Sequence, residues 1–253
     1  MHAVCGRATA RRVRHGLFRE ARLPRRLQNM NYFGRRGCPG GCRTCMNNNT
    51  EGRVGIAVLV SGGGTNLQAL INAERDGIIR SGSIRLVISS RSDAYALTRA
   101  REASIPTAVV SKKECGGQAE AERRITELLE QYGIGLIVLA GYMSILTPAF
   151  TARYDRRIIN VHPSLIPSFC GEGFYGLRVH EAALRKGVKV TGATVHYVNE
   201  IPDGGEIIAQ RAVEVHDGDT PEQLQRRVME QAEWIILPQA AEAVCVKIRE
   251  NDR

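Results

Sequence analysis

Gly55-Ile-Ala-Val-Leu-Val60, Ser61-Gly-Gly-Gly-Thr65 and Asn66-Leu-Gln-Ala-Leu-Ile-Asn-Ala73 follow one another without interruption. The first run has no polar alternation, which is the pattern of a strand buried on both faces, as in a parallel sheet. The glycines make a tight turn, and the third run reads as a helix. Similar units recur downstream. Ile84-Arg-Leu-Val-Ile88 predicts a second strand, followed by a helix over Ala94–Ala103, and Pro106-Thr-Ala-Val-Val110 predicts a short third strand. Over Gln118–Gln131, the residues Ile125, Leu128 and Leu129 share one helical face. Ile134-Gly-Leu-Ile-Val-Leu-Ala140 is the most apolar strand, and Arg157–Val161 follows it. Such alternation predicts an open, mostly parallel sheet with helices on both faces.

The pattern changes after a proline-rich loop. Val188–Val198 and Ile207–Val215 are longer strands separated by residues 199–205, and so close a pair is expected to join the sheet antiparallel. Thr220-Pro221-Glu222-Gln223 marks a helix start, with an N-cap, a proline at the first helical position and a capping-box glutamine. Leu224, Val228, Ala232 and Ile235 give that helix its apolar stripe. The fold class is therefore α/β, Rossmann-like, with an antiparallel C-terminal strand pair. Fifteen residues follow Pro238, too few for a second folded domain, so residues 51–253 are expected to form one domain.

Composition narrows the function class. At 43% hydrophobic and 24% charged, the 253 residues read as a globular protein, and no apolar run approaches the roughly 18 residues of a membrane span. The net charge of +9 suggests a nucleic-acid partner until it is located. Residues 1–50 hold eleven arginines, no lysine and one acid, Glu20, so the excess lies there and the body is close to neutral. No nucleic-acid partner is expected for the body. Cys115, Cys170 and Cys245 are scattered singly, as thiols are in a cytoplasmic protein.

The first fifty residues have no hydrophobic periodicity and are expected to be a disordered basic leader or an over-extended start, with function beginning near Met46. Their arginine-rich composition also resembles an organelle transit peptide. Cys38, Cys42 and Cys45 have a spacing seen in iron–sulfur and zinc sites, but no fourth ligand is evident and no metal is expected.

Three motifs carry chemistry. In Ser61–Asn66, glycines allow backbone amides to approach an anion, and the following helix start adds its dipole. Leu67 breaks any Gly-x-Gly-x-x-Gly spacing and no Walker lysine is present, so a monophosphate fits better than a dinucleotide or triphosphate. In Asn160-Val-His162-Pro163, strand geometry puts Asn160 and His162 on one face, and Pro163 ends the strand at the sheet's ligand-binding rim. An amide donor beside an imidazole suits the oxyanion of acyl transfer, although such a pair alone is more often a polar strand end with a satisfied histidine. The third motif is Asp203-Gly-Gly205, a carboxylate expected to raise the pKa of His162; taken alone, it is a hairpin turn.

Together these motifs resemble phosphoribosylglycinamide formyltransferase. The resemblance rests on residues 61–69, Val-Leu-Ala-Gly-Tyr-Met at 138–143, Asn-Val-His-Pro-Ser-Leu-Ile-Pro at 160–167, Thr-Gly-Ala-Thr-Val-His at 191–196 and Asp-Gly-Gly at 203–205. It implies transfer of a formyl group from the co-substrate 10-formyltetrahydrofolate to glycinamide ribonucleotide, in purine biosynthesis, by a cytoplasmic monomer or weak homodimer. It further implies that Asn160, His162 and Asp203 are catalytic and that Gly64, Thr65 and Asn66 bind the ribonucleotide phosphate. Glu233 would meet the glycinamide end, and Met143, Ser144, Ile145 and Leu146 would line the folate site. Ser144 stands where many relatives carry arginine, so folate contacts there are expected from the backbone. The stretch 168–177 is longer than in some relatives.

Methionyl-tRNA formyltransferase shares the formyl-transfer domain but appends a tRNA-binding domain, for which no C-terminal residues remain. Formyltetrahydrofolate deformylase differs at the residue after the catalytic histidine, where Pro163 favours the nucleotide enzyme. A nucleotide-binding module with a nucleic-acid-binding arm is opposed by the neutral body.

Overall fold

The computed structural model describes residues 52–251, which lie in a single unit beginning at Asn48. The basic leader and the Cys38/Cys42/Cys45 group fall outside the described residues. The order of elements is β1 Val54–Val60, α1 Thr65–Arg75, β2 Gly82–Ser89, α2 Tyr95–Glu102, β3 Thr107–Val109, α3 Gln118–Gln131, β4 Ile134–Leu139, α4 Pro148–Arg153, β5 Ile158–His162, α5 Leu177–Lys186, β6 Val190–Tyr197, β7 Ile207–Glu214, α6 Pro221–Val228, a π turn Met229–Glu233 and α7 Trp234–Asn251.

The seven strands form one sheet in the order β3-β2-β1-β4-β5-β6-β7. The first five run parallel, while β6 is antiparallel to both β5 and β7, as the late strand pair predicted. Every residue of β1 is buried. Ile56, Val58 and Val60 enter one core layer and Ala57 and Leu59 the other, which is why that run shows no polar alternation. Each such fully buried aliphatic side chain contributes about 1.5–3 kcal/mol relative to exposure. The strand order reverses between β1 and β4. In open α/β sheets the crevice at that point, outside the carboxyl ends of the strands, is where ligands bind.

The C-terminal helix starts as its sequence indicates. Thr220 accepts from the Gln223 N–H, Gln223 reaches back to the Thr220 N–H, and Pro221 takes the first turn. The predicted stripe then departs by one position. Leu224, Val228 and Ala232 are buried, but the next core residue is Ile236 rather than Ile235. The π turn at Met229–Glu233 inserts one residue and rotates everything beyond it by about 100°. The helix continues through Pro238 to Asn251.

Candidate active site

The glycine turn after β1 exposes a helix start. Gly64 has φ 72°, and a Cβ there would lie 2.6 Å from that of Ala96, so both its conformation and its packing require glycine. No side chain caps α1 at this end, which leaves its first-turn N–H groups open to an anion. From α2, Arg99 donates through Nε to the Gly63 carbonyl at 2.9 Å and through Nη1 to Gln68 at 3.2 Å, bracing the turn and adding positive charge beside it. The Thr65 hydroxyl meets the Met229 sulfur at 3.8 Å. Asn66 donates to Glu233 Oε2 at 2.7 Å, so its side-chain amide turns toward the acid rather than into the glycine turn. Glu233 is only 6% exposed, and burial pushes its carboxyl up to about 7, with the Asn66 hydrogen bond opposing.

The second cluster sits on β5 and β6. Asn160 pairs with His196 and His162 with Thr194 across the antiparallel ladder, so all four side chains share one face. His196 Nδ1 lies 2.8 Å from the Tyr197 carbonyl and must donate to it. In the neutral ring Nε2 then accepts from Asn160 Nδ2 at 3.2 Å. That contact fixes which way the Asn160 amide faces.

The loop after β6 folds back so that Asp203, at φ 55°, reaches both imidazoles. Its Oδ2 is 3.4 Å from His162 Nδ1 and its Oδ1 is 3.5 Å from His196 Nε2, while the Gly171 N–H donates to Oδ2 at 2.9 Å. Burial works against the Asp203 charge, but the two imidazoles and the Gly171 amide hold the carboxyl below its ordinary range. For His162 the expectation is reversed. Burial lowers its pKa by more than Asp203 and the Phe169 carbonyl raise it. Asp203 limits that fall without overturning it.

Beside this cluster a cavity of about 140 Å³ is walled by Leu139, Tyr142, Ile145, Leu146 and Val198, with Asn160, His196 and Asp203 also in its lining and residues 199–202 along its rim. Leu146 is buried, whereas Ile145 is 75% exposed at the cavity mouth. Ser144 lines the cavity. Met143 does not line it. The Met143 N–H instead donates to Ser61 Oγ at 2.9 Å, and Ser61 also meets Ser90 Oγ at 2.7 Å. The loops after β1, β2 and β4 are thereby tied together at the switch point.

Sequence reasoning missed Arg99 and the part played by His196 and Ser61. Nothing local marks Arg99, since a helical arginine is ordinarily a solvated one. His196 was legible in principle, because β6 pairs with β5 and strand registry puts it opposite Asn160.

A family model described as formyl transferase matches residues 54–241. The phosphoribosylglycinamide formyltransferase of Haemophilus influenzae is 44% identical over 183 residues, covering 72% of this chain and 83% of that protein. The chloroplastic phosphoribosylglycinamide formyltransferase of Arabidopsis thaliana is 36% identical over 200 residues, covering 78% of this chain and 68% of that protein. Among solved structures, glycinamide ribonucleotide transformylase 1 from Symbiobacterium toebii superposes with a TM-score of 0.72 at 40% identity, covering 77% of this chain and 89% of that one. The chain belongs to the formyl transferase family and, within it, to the phosphoribosylglycinamide formyltransferases.

Proposed function

We propose that the chain transfers the formyl group of 10-formyltetrahydrofolate to the amine of glycinamide ribonucleotide, by direct attack through a tetrahedral intermediate. The observation that carries this reading is the grouping of Asn160, His162, His196 and Asp203 beside an apolar cavity. Their chemistry suits acyl transfer. The Asn160 amide meets the oxyanion as the amine attacks, worth about 100-fold or more in rate for a well-placed donor. His162 takes up the proton that the amine loses, Asp203 steadies the resulting imidazolium, and the proton returns to the departing folate nitrogen.

The other assignments follow the geometry. The apolar walls of the cavity suit a flat ring system, and its backbone groups supply polar contacts, in keeping with the absence of an arginine at Ser144. The open start of α1, with Gly64 and Thr65, takes the ribonucleotide phosphate. Asn66 contributes its backbone N–H there and uses its side chain to hold Glu233, which receives the glycinamide end.

The test offers the purified chain 10-formyltetrahydrofolate with glycinamide ribonucleotide, with initiator methionyl-tRNA, or with water alone. Formyl transfer to the ribonucleotide is expected; transfer only to tRNA or water refutes the proposal. In His162→Ala, turnover should fall on the order of 100-fold or more with little change in nucleotide affinity. Undiminished turnover removes His162 from the mechanism.

A further inference from the structure

We infer that Ser61 is a positioning residue whose hydroxyl couples the two substrate loops and sets the ribonucleotide and the folate at their reacting distance. The inference rests on the placement of the two substrates proposed above. Ser61 is the first residue beyond β1 and is only 6% exposed. Parallel registry pairs Val60 with Ser89 on one side and Leu59 with Leu139 on the other, so the residue after β1 stands between the loops that leave β2 and β4. The Ser90 N–H donates to the Val60 carbonyl at 3.1 Å, and the Ala140 N–H to the Leu59 carbonyl at 2.9 Å. Gly141, at φ 72°, then turns the chain off β4, and the Met143 N–H returns to donate to Ser61 Oγ at 2.9 Å.

A hydroxyl suits this position because it has one hydrogen and two lone pairs. It accepts from Met143 and still shares a hydrogen bond with Ser90 Oγ at 2.7 Å. The Ser61 backbone leads directly into the glycine turn, whose carbonyls are held from α2: the Ala96 N–H donates to Gly62 at 3.1 Å and Arg99 to Gly63 at 2.9 Å. On the other side, Met143 leads into Ser144, Ile145 and Leu146, which line the cavity. Met143 is 58% exposed, so at this residue the hydrogen bond, not packing, fixes the backbone. The turn that takes the phosphate is thus braced from α2 and passes its position through Ser61 to the loop that lines the cavity. The attacking amine and the formyl carbon belong to two separate molecules, each held mainly by its own loop. A relative misplacement of about 1 Å costs on the order of 100-fold in rate, while each loop keeps the contacts to its own substrate. Ser61 therefore acts on kcat rather than on either KM.

The test has two arms, both on the full chain. In the first, 15N-methionine labels the Met143 amide, assigned by its loss in Met143→Leu, and inorganic phosphate in excess is the probe for the glycine turn. The Met143 signal should shift with phosphate in the parent and stay in place in Ser61→Ala. In the second, Ser61→Ala should lower kcat for formylation of glycinamide ribonucleotide about tenfold, while KM for each substrate stays within about twofold. Ser90→Ala leaves the bond between Ser61 and Met143 in place and should keep kcat within about twofold. Ser61→Cys keeps the shape with a weaker hydrogen-bonding group and should lie between; if the alanine variant fails to fold, the cysteine variant decides both arms. A parent Met143 signal indifferent to phosphate overturns the inference, and so do Ser61 variants with unchanged kcat or an equal loss in Ser90→Ala. A parent that does not formylate the ribonucleotide refutes the proposed function instead, and the phosphate arm still decides the coupling.

Discussion

Replacing Glu233 with glutamine should make the stability of this protein less dependent on pH. Glu233 is buried in the π turn, with the Asn66 amide donating to it at 2.7 Å, and its carboxyl is raised from 4.5 to about 7. Below pH 4.5 both folded and unfolded chains carry the proton, and burial exacts no charge penalty. Between 4.5 and 7 the unfolded chain releases a proton that the folded chain retains, so stability falls as pH rises. Above 7 the folded chain holds a buried carboxylate and the whole contribution is lost. A shift from 4.5 to about 7 corresponds to about 3 kcal/mol. Glutamine keeps an oxygen for Asn66 and never ionises. Its second N–H imposes a cost of its own, but the same one at every pH, so the slope rather than the offset is diagnostic. Urea unfolding of parent and variant from pH 5 to 8, without substrates, should show the variant gaining about 3 kcal/mol relative to the parent, or about 6–12 °C in Tm. Parallel curves across that range would refute the argument and return Glu233 to an ordinary carboxylate.

Three further outcomes follow from the geometry. Asp203→Asn removes the charge that supports the His162 imidazolium, so the acid limb of the pH–rate profile should move to lower pH; an unmoved limb assigns that limb to another group. Asn66→Ala strips Glu233 of its donor, and isothermal titration should show nucleotide affinity falling about tenfold while folate affinity holds. Gly205→Ala would place a Cβ 1.8 Å from the Tyr197 carbonyl, and chemical denaturation should register a loss of about 1–3 kcal/mol.

Much of this architecture was legible because burial on both faces leaves an unmistakable apolar run. Strands β1 and β4 could be read for that reason, and α3 was bounded at Gln118 and Gln131 by its one-sided apolar face. The short α4 was not legible: six residues offer no periodicity, and what holds it is Thr147, which caps the helix and bonds the buried Glu122 of α3 at long range. Helix α5 was passed over because its buried face is Val179, His180, Ala182 and Ala183, small or polar residues that make a faint stripe. At the site, Asn160 and His162 were found through strand periodicity, and Asp203 through its glycines. The direction of the His162 pKa shift was misjudged because sequence names the neighbouring charge but not the depth at which the ring is buried.

The π turn has a consequence for how this chain tolerates loss of residues. Within a regular helix, deleting one residue rotates the remainder by about 100° and brings the wrong face to the core. Here α6 and α7 already differ by one position, with Leu224 and Val228 in phase on one side and Ile236 and Leu237 on the other. A single deletion within Met229–Glu233 would turn the wide turn into ordinary helix and leave both apolar stripes facing inward. What changes is the placement of Glu233 against Asn66. At this point in the chain, and for a one-residue deletion, the fold and the proposed substrate site are separable: the first should survive the loss and the second should not.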